Sequence, residues 1–385
     1  MKSSAKNALL ALAAAAPSYG LAPPQEAQLQ YRVSQYQEND MPANRVASGS
    51  TQRYQISVQQ LQWQTPIAGQ WLLNMQGSYE SLSGASPQQT FENSSGQSEV
   101  IMSGASINEQ RSDAQLQLSR YFSHGTLGGG LYYSTENDYQ AQAWNLAGSL
   151  ELWSGMTTLN AGLSQSDDRL NPSDTRLSVN RQLADDQTRS RQEAYLGISQ
   201  ILNKYEVLQL TLGYSQSSGY LSDPYRNIDL RPDNRDSQTL TLMYRFFMKP
   251  WNGAAHWNYR LYHDSWGVDS HTLELRWYQN LGRFIGRNWR ANIGSRFYRQ
   301  QAADFYSLAS SASGNAQSSD ARLSAYGAIT LELGIDLLWS HALEFSLSGQ
   351  SYRCRESWGA RGSKAAEAPA LVNYQLVSAG VLYRY

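Results

Sequence analysis

Acid–base chemistry in this chain would depend on a short run in its second half, where His263, Asp264 and Ser265 follow one another. A serine nucleophile needs a base within hydrogen-bond reach and a third group that orients the base. Histidine commonly serves as that base. Trp266, an apolar ring, follows the serine directly. The alternative is a tight hairpin over Asp264–Asp269, with the Trp266 ring packed over it.

The same hairpin offers a second kind of chemistry, because two histidines and two aspartates lie close together in it. His263 and His271 flank the positions of Asp264 and Asp269. Mixed imidazole and carboxylate groups can bind a divalent metal, but no fixed ligand spacing enforces a site here. We therefore predict no catalytic residue, no metal site and no cofactor.

Composition excludes several other classes of function. Lys and Arg number 31 against 32 Asp and Glu, so the net charge of -1 argues against a nucleic-acid partner. One cysteine, Cys354, excludes a disulfide framework within the chain. Mean hydropathy is -0.55, and no apolar run reaches the roughly 18 residues of a membrane-spanning helix. The 25 tyrosines, 11 tryptophans and 8 phenylalanines nevertheless indicate a folded chain.

The elements that would position these groups are β-strands. Residues 208–214 read Leu-Gln-Leu-Thr-Leu-Gly-Tyr, and similar alternation recurs along most of the chain. A period of two residues predicts a strand with one apolar and one polar face. Sixteen segments are predicted, with fourteen as the alternative count, at residues 27–37, 53–63, 70–82, 110–121, 126–135, 141–153, 156–166, 191–202, 205–217, 237–249, 254–264, 270–280, 289–299, 321–335, 341–352 and 373–385.

The connections between these strands alternate in length. Short turns such as Ser123–Gly125 and Asn203–Lys204 lie on one side, where Leu281–Asn288 is predicted to be longer. Short turns at one end and long loops at the other are typical of a transmembrane antiparallel β-barrel. A soluble sandwich of sixteen amphipathic strands would be unusually large. The long connections are residues 38–52, 83–109, 167–190, 218–236, 300–320 and 353–372.

Aromatic residues near the strand ends favour the membrane barrel, because such rings prefer the lipid headgroup level. Closure of the sheet would leave no unpaired strand edge in lipid. The last strand alternates apolar residues and ends on Tyr383 and Tyr385, which is typical of the assembly signal of bacterial outer-membrane proteins. We therefore expect contact with outer-membrane lipids and with the assembly machinery through this strand.

The N-terminus predicts export. Residues 1–6 carry two lysines, residues 7–16 are apolar, and Gly20-Leu21-Ala22 offers small residues for cleavage. This is the pattern of a secretory signal peptide. We predict that residues 1–22 are removed and that residues 23–385 form one barrel domain in the outer membrane of a Gram-negative bacterium.

The polar face of each strand is expected to line the lumen. Charges there would each cost roughly 2–4 kcal/mol if they faced lipid at mid-depth. They would either select solutes, as charged rings do in pores, or form a salt-bridge network that stiffens a closed barrel. The lumen candidates from the tenth strand onward include Arg245, His256, Asn258, Arg260, Glu274, Arg276, Arg290, Arg296, Glu332 and Glu344.

A further set of residues recurs at the long-loop ends of the strands, and we predict that they form one hydrogen-bonded collar that fixes the external loops. The runs are Glu136-Asn137-Asp138-Tyr139, Asp223-Pro224-Tyr225-Arg226, Asp264-Ser265-Trp266-Gly267, His271-Thr272 and the end of Phe297–Tyr306. The rim candidates are Asp138, Tyr139, Asp223, Pro224, Tyr225, Arg226, Asp264, Trp266, His271, Asp304 and Tyr306.

These runs, with Tyr259-Arg260 and Asp320-Ala321-Arg322-Leu323-Ser324, resemble an outer-membrane family known as domain of unknown function 3570. The resemblance extends from about residue 26 to the C-terminus, and it is most specific between Asp223 and Leu323. It implies an outer-membrane barrel and no established activity.

Three functions stay open from the sequence. A porin-like channel for small solutes is the first hypothesis, and a non-conducting barrel that serves as a scaffold or surface receptor is the alternative. The third is an outer-membrane hydrolase, since His263-Asp264-Ser265 is loosely similar to the nucleophile arrangement of outer-membrane phospholipases.

Overall fold

The computed structural model describes residues 24–104, 107–173, 175–309, 314–360 and 370–385. Sixteen antiparallel strands form one closed barrel, in which each strand pairs with its neighbours along the chain and the first pairs with the last. This confirms the predicted fold class and strand count; the predicted signal peptide lies outside the described residues. Numbered β1 to β16 in chain order, the strands are Gln28–Glu38, Gln55–Ile67, Trp71–Gly84, Ile107–Phe122, Gly125–Glu136, Tyr139–Leu152, Thr157–Leu170, Gln187–Asn203, Glu206–Gly219, Asn234–Met248, Gly253–Asp264, Asp269–Phe284, Arg287–Gln300, Tyr326–Leu338, Leu343–Arg355 and Tyr374–Arg384.

The barrel closes between β1 and β16. Their register runs without a break from Gln28 opposite Arg384 to Glu38 opposite Tyr374. Ala27 and Tyr385 extend the seam through two backbone hydrogen bonds of 2.9 and 3.0 Å. Because every barrel strand then has two partners, no edge presents unpaired backbone groups to lipid.

The two ends of the barrel differ in how the strands are joined. The turn end carries short connections, such as the one from Phe122 to Gly125. β1 begins and β16 ends at this end of the barrel. The loop end carries the long connections.

Side-chain alternation separates an apolar outer face from a polar inner face. Outward hydrophobic side chains remain exposed on the isolated barrel, as with Leu131. On the inner face, the hydroxyl oxygens of Ser34 and Ser378 lie 2.8 Å apart across β1 and β16. Trp153 and Trp251 project from the turn end, as expected for rings at the boundary between lipid and water.

The connection predicted as the longer loop Leu281–Asn288 is instead a two-residue turn. β12 continues to Phe284 and β13 begins at Arg287, which pairs with Phe284 after a register shift near Asn280 and Gly282. Ile285 and Gly286 have φ values of 51° and 73°. Two residues with positive φ produce the hairpin turn whose twist matches the flanking strands, so the strands extend further than their alternation indicates.

The long connections contain their own secondary structure, which the sequence did not predict. Val46–Ser48, Ser98–Met102 and Pro87–Glu92 form a three-stranded sheet, and Asp229–Leu230 pairs with Gln317–Ser318. Val179–Ala184 is a one-turn helix capped by the Ser178 side chain. No helix in the described part of the chain is long and apolar enough to cross a membrane. We call the described residues of connections 39–54, 85–106, 171–186, 220–233, 301–325 and 356–373 the loop cap.

Candidate functional site

The lumen wall from β10 to β16 carries a chain of ion pairs. Arg276 lies 2.8 Å from Glu332 across β13, and Arg296 lies 3.2 Å from Glu274. Gln350 donates to Glu332 at 3.0 Å. The arginines stay accessible to solvent, with 41% of the Arg276 side chain and 42% of the Arg296 side chain exposed. Water therefore reaches the interior of the barrel at their level.

A second group of ion pairs lies on the inner face near the turn end. Arg290 contacts both Glu344 and Asp336, the latter at 3.5 Å. Arg384 lies 2.8 Å from the other oxygen of Glu344. Arg290 is also 47% exposed, so the solvent-filled interior continues toward this end.

Arg260 differs from these arginines because no carboxylate among the described residues lies within ion-pair distance of it. Its guanidinium lies 6.0 Å from the centre of the Tyr262 ring, and Arg296 is 5.5 Å from the Tyr298 ring. Such distances allow a weak attraction between cation and ring face. No ion pair among the described residues therefore neutralises the charge of Arg260.

Tyrosines form a band on the inner face just below the loop cap. Tyr352 and Tyr374 stack with ring centres 4.7 Å apart, and Tyr36 lies 4.7 Å from Tyr374 on the other side. Tyr298 is 5.6 Å from Tyr326. These bulky rings project from β1 and β13 to β16 and narrow the lumen at one level.

Three rings of this wall are also fixed by their own strands. The hydroxyls of Tyr36 and Tyr262 donate to Glu38 at 2.9 Å and to Asp264 at 2.6 Å. Tyr298 makes the same contact with Gln300. Each partner is the next inward residue toward the loop end, so the rings are held against the wall.

The opposite wall, on β3 to β5, is acidic. Glu80, Asp113 and Glu136 face inward on these strands around a single arginine, Arg111. Arg111 lies 3.9 Å from Glu80 and 3.7 Å from Glu136, and Ser78 donates a hydrogen bond to Asp113. The prediction from sequence treated only strands from the tenth onward and missed these residues. The available signal was the alternation Trp71, Leu73, Met75, Tyr79, which places Glu80 inward.

The structure places every predicted lumen side chain on the inner face of its strand, as the registers of β10 to β15 require. His256 lies against Tyr278, with ring centres 4.8 Å apart. The residues concerned are Arg245, His256, Asn258, Arg260, Glu274, Arg276, Arg290, Arg296, Glu332 and Glu344.

A buried cluster of charges lies in the loop cap. Asp320 is fully buried and accepts hydrogen bonds from Arg226 at 3.2 Å, Arg231 at 2.9 Å and Arg322. Arg322 also lies 3.1 Å from Asp223. The cluster joins the β9–β10 connection to the β13–β14 connection.

The arginines keep these two carboxylates ionised. Burial acts to raise the pKa of Asp320, but Arg226, Arg322 and Arg231 outweigh it and hold that pKa well below its usual range. The same contest lowers the pKa of Asp223 to about 2, with Arg322 as the largest favourable contribution. The cluster is therefore charged at any physiological pH.

Backbone contacts extend the loop cap across the mouth of the barrel. The amide of Asn227 donates to the Gln88 carbonyl at 2.9 Å, and the amide of Thr90 donates to the Ser319 hydroxyl at 3.1 Å. Gln88 and Thr90 follow β3, whereas their partners come from connections on the far side of the barrel. A small apolar core that includes Val100 and Met102 holds this arrangement. The loops therefore cover the loop end.

The predicted rim motifs come together in two groups within or beside the loop cap. Tyr225 donates a hydrogen bond to Asp138. In the second group, the Asp304 amide donates to the Trp266 carbonyl at 2.9 Å, and Tyr306 packs against the cluster around Trp266. Pro224 and Arg226 flank Tyr225 in the β9–β10 connection and so belong to the first group.

The remaining rim residues have separate partners. Asp264 accepts from Arg235 at 2.8 Å and from the Trp266 and Val268 amides. Tyr139 donates to Asp168. His271 does not join the rim, because it lies on the outer face of β12, where it bonds to the Tyr259 hydroxyl at 2.7 Å.

The arrangement considered for nucleophilic chemistry is not assembled. His263 lies 2.6 Å from Asp269 on the outer face of β11, while Asp264 faces inward. The Ser265 hydroxyl accepts from the Asp236 amide at 3.0 Å. Within the described ranges, no three His, Cys, Asp or Glu side chains are placed to hold a metal ion.

Comparison with known sequences assigns the chain to a family. The family described as "Protein of unknown function (DUF3570)" matches residues 3–369, and the chain belongs to this family. No curated protein matches the sequence. The resemblance predicted from the rim motifs is thereby confirmed.

Comparison with solved structures agrees on the fold. A "Bacterial polysaccharide outer membrane secretin" matches with a TM-score of 0.52 and 9% identity, over 93% of this chain and 98% of that one. OccD3 (OpdP) from Pseudomonas aeruginosa matches with a TM-score of 0.44 and 9% identity, over 95% of this chain and 93% of that one. At such identity the first similarity shows the fold alone, which is that of an outer-membrane barrel.

Proposed function

We propose that this protein is an outer-membrane channel for small polar solutes, with a solvated lumen whose entrance is covered by the loop cap. The observation that carries the proposal is the exposure of the lumen arginines. Arg276, Arg290 and Arg296 point inward yet keep 41%, 47% and 42% of their side chains exposed. A barrel filled by a plug at that level would bury them.

The charged lumen supports selectivity. Rings of charged side chains set the ion preference of pores, and a sixteen-stranded barrel is wide enough for an aqueous channel. We propose no catalysis, since Ser265 and His263 have separate partners. The outer-membrane location and assembly through Tyr383 and Tyr385, whose rings stack 5.5 Å apart, are parts of the same proposal.

The test is single-channel conductance of the refolded protein in a planar bilayer. We expect steady open steps, and neutralisation of Arg260, Arg276 and Arg296 to glutamine should lower the ratio of anion to cation permeability. The control variant is Arg169→Gln with Asp186→Asn, an exposed ion pair between the loop end of β7 and the connection that follows it. It should leave that ratio unchanged.

The loop cap favours a second candidate, a barrel closed by its own loops that acts as a receptor or scaffold. Asp320→Asn separates the two candidates, because it removes the carboxylate that holds three cap arginines. If the cap restricts passage, this variant conducts more than the wild type. Silence of both proteins, each shown to be folded by heat-modifiable gel migration, would reject the channel and support the receptor.

A further inference from the structure

We infer that the acidic wall on β3–β5 and the basic wall on β10–β13 face each other across the lumen and favour small zwitterions as solutes. A zwitterion here is a molecule with an ammonium group and a carboxylate a few bonds apart. The inference rests on the proposed channel function and names the class of solute that the channel prefers.

The two walls carry opposite excess charge. The inner face of β3–β5 carries four carboxylates and one arginine, Arg111, which pairs with two of them. On the inner face of β10–β13, away from the paired ends, four arginines face one glutamate, Glu274, with Glu332 beyond it on β14. The acidic wall comprises Glu80, Glu109, Asp113 and Glu136, and the basic wall comprises Arg245, Arg260, Arg276 and Arg296.

The walls lie opposite each other because of the strand count. In a closed barrel of sixteen strands, strands eight positions apart are diametrically opposed. β3 is therefore opposite β11, and β5 is opposite β13. β8 lies between the two walls. Its inward residues Arg191 and Glu193 pair with each other, so this pair adds no net charge between the walls.

The opposed charges also lie at one level. Arg260 and Arg296 are each four residues from the loop end of their strands, at Asp264 and Gln300, and Glu80 is four residues from the end of β3 at Gly84. Tyr36 and Tyr298, in the tyrosine band, are two residues from the loop ends of their strands, one inward position above the charges. A solute that enters from the loop end therefore passes the tyrosine band first and then reaches both walls.

A field that crosses the lumen acts differently on different solutes. An uncharged solute gains little from it, and a single ion is attracted to one wall and repelled by the other. A zwitterion can orient its ammonium group toward Glu80 and Asp113 and its carboxylate toward Arg260 and Arg296, so both interactions are favourable. Low-dielectric walls around a cleft strengthen such fields.

The test is solute uptake by liposomes that contain the full-length protein, with two isomers as probes: β-alanine, a zwitterion, and lactamide, which is uncharged. The quantity measured is the ratio of their uptake rates. Neutralising either wall, by Glu80→Gln with Asp113→Asn or by Arg260→Gln with Arg296→Gln, should lower this ratio about threefold, as expected for a solvated charge interaction.

The ion preferences supply a second readout. The variant without the two carboxylates should shift toward anions, and the variant without the two arginines should shift toward cations, while both lose preference for β-alanine. The double variant Arg169→Gln with Asp186→Asn removes one charge of each sign outside the lumen and should keep the wild-type ratio. Heat-modifiable migration confirms that each variant is folded.

Two outcomes would overturn the inference, and they distinguish a wrong solute class from a barrel that is not a channel. Equal uptake ratios in the wild type and in both wall variants would reject the zwitterion preference while leaving a channel in place. No protein-dependent uptake of either isomer, in the wild type and in the Asp320→Asn variant, would reject the channel itself and the inference with it.

Discussion

The loop cap and the lumen both contain ion pairs between arginine and a carboxylate, but these pairs are buried in the cap and exposed in the lumen. In the cap, Arg226 and Asp320 expose 7% and 1% of their side chains, and where the cap meets β1, Arg53 and Glu38 expose 4% and 3%. In the lumen, Arg296 and its partner are both more than two-fifths exposed. Burial makes the cap pairs structural, because a charge left without its partner there has no water to solvate it. In the lumen, water screens the pairs and leaves their charges available to solutes.

The largest expected effect is on the cap cluster. Asp320→Asn leaves Arg226, Arg231 and Arg322 without their shared carboxylate, and breaking a buried pair typically costs about 3–5 kcal/mol. We expect proteolysis of the external connections to become at least about a hundredfold faster, since cleavage follows the open population and each 1.4 kcal/mol is tenfold. The matched control, Asp186→Asn, disrupts an exposed pair with Arg169 and should change cleavage little. Equal cleavage of the two variants would show that burial does not distinguish the regions.

Acid should loosen the cap only at very low pH. The pKa of Asp223 is lowered to about 2 in the folded cap, whereas an unfolded aspartate has a pKa near 3.9. A lowered pKa gives stability that is complete above the unfolded value and is lost as pH falls through the folded value. Pepsin cleavage of the cap, normalised to an unfolded substrate, should therefore be slow at pH 4 and rise toward pH 2. A rise that is complete by pH 4 would contradict this assignment.

The smallest effect is expected in the lumen. Arg276→Gln removes an ion pair whose arginine is 41% exposed, and exposed pairs contribute about 0–1 kcal/mol. The urea midpoint of unfolding, followed by heat-modifiable migration, should barely move, as should that of Glu332→Gln. A loss of stability as large as that in the cap would mean that the lumen network stiffens the barrel, as the closed-barrel hypothesis requires.

The difference between these regions also explains what the sequence could predict. A strand such as β9 has one face in lipid and one in water, so its alternation is visible without any structure. The lumen arginines follow from the same alternation once strands are assigned. Glu80 and Asp113 follow from it equally, and only the restriction to later strands left them out.

The loop cap has no comparable pattern. Thr90 meets Ser319, and Asn227 meets Gln88, so its contacts join connections far apart in sequence. Val100 is fully buried there although its connection is mostly polar. Nothing periodic marks such a core, because each contact depends on how the barrel below has already brought the loops together.

The seam between β1 and β16 has a consequence for biogenesis. Each internal strand can pair with a neighbour as soon as both are present, but β1 must wait for the strand farthest from it in sequence. Until Gln28 meets Arg384, the growing sheet keeps two open edges, which invite pairing with other chains. Pairing of β1 with β16 is therefore the step that removes both open edges, and it cannot take place before the last strand has been made.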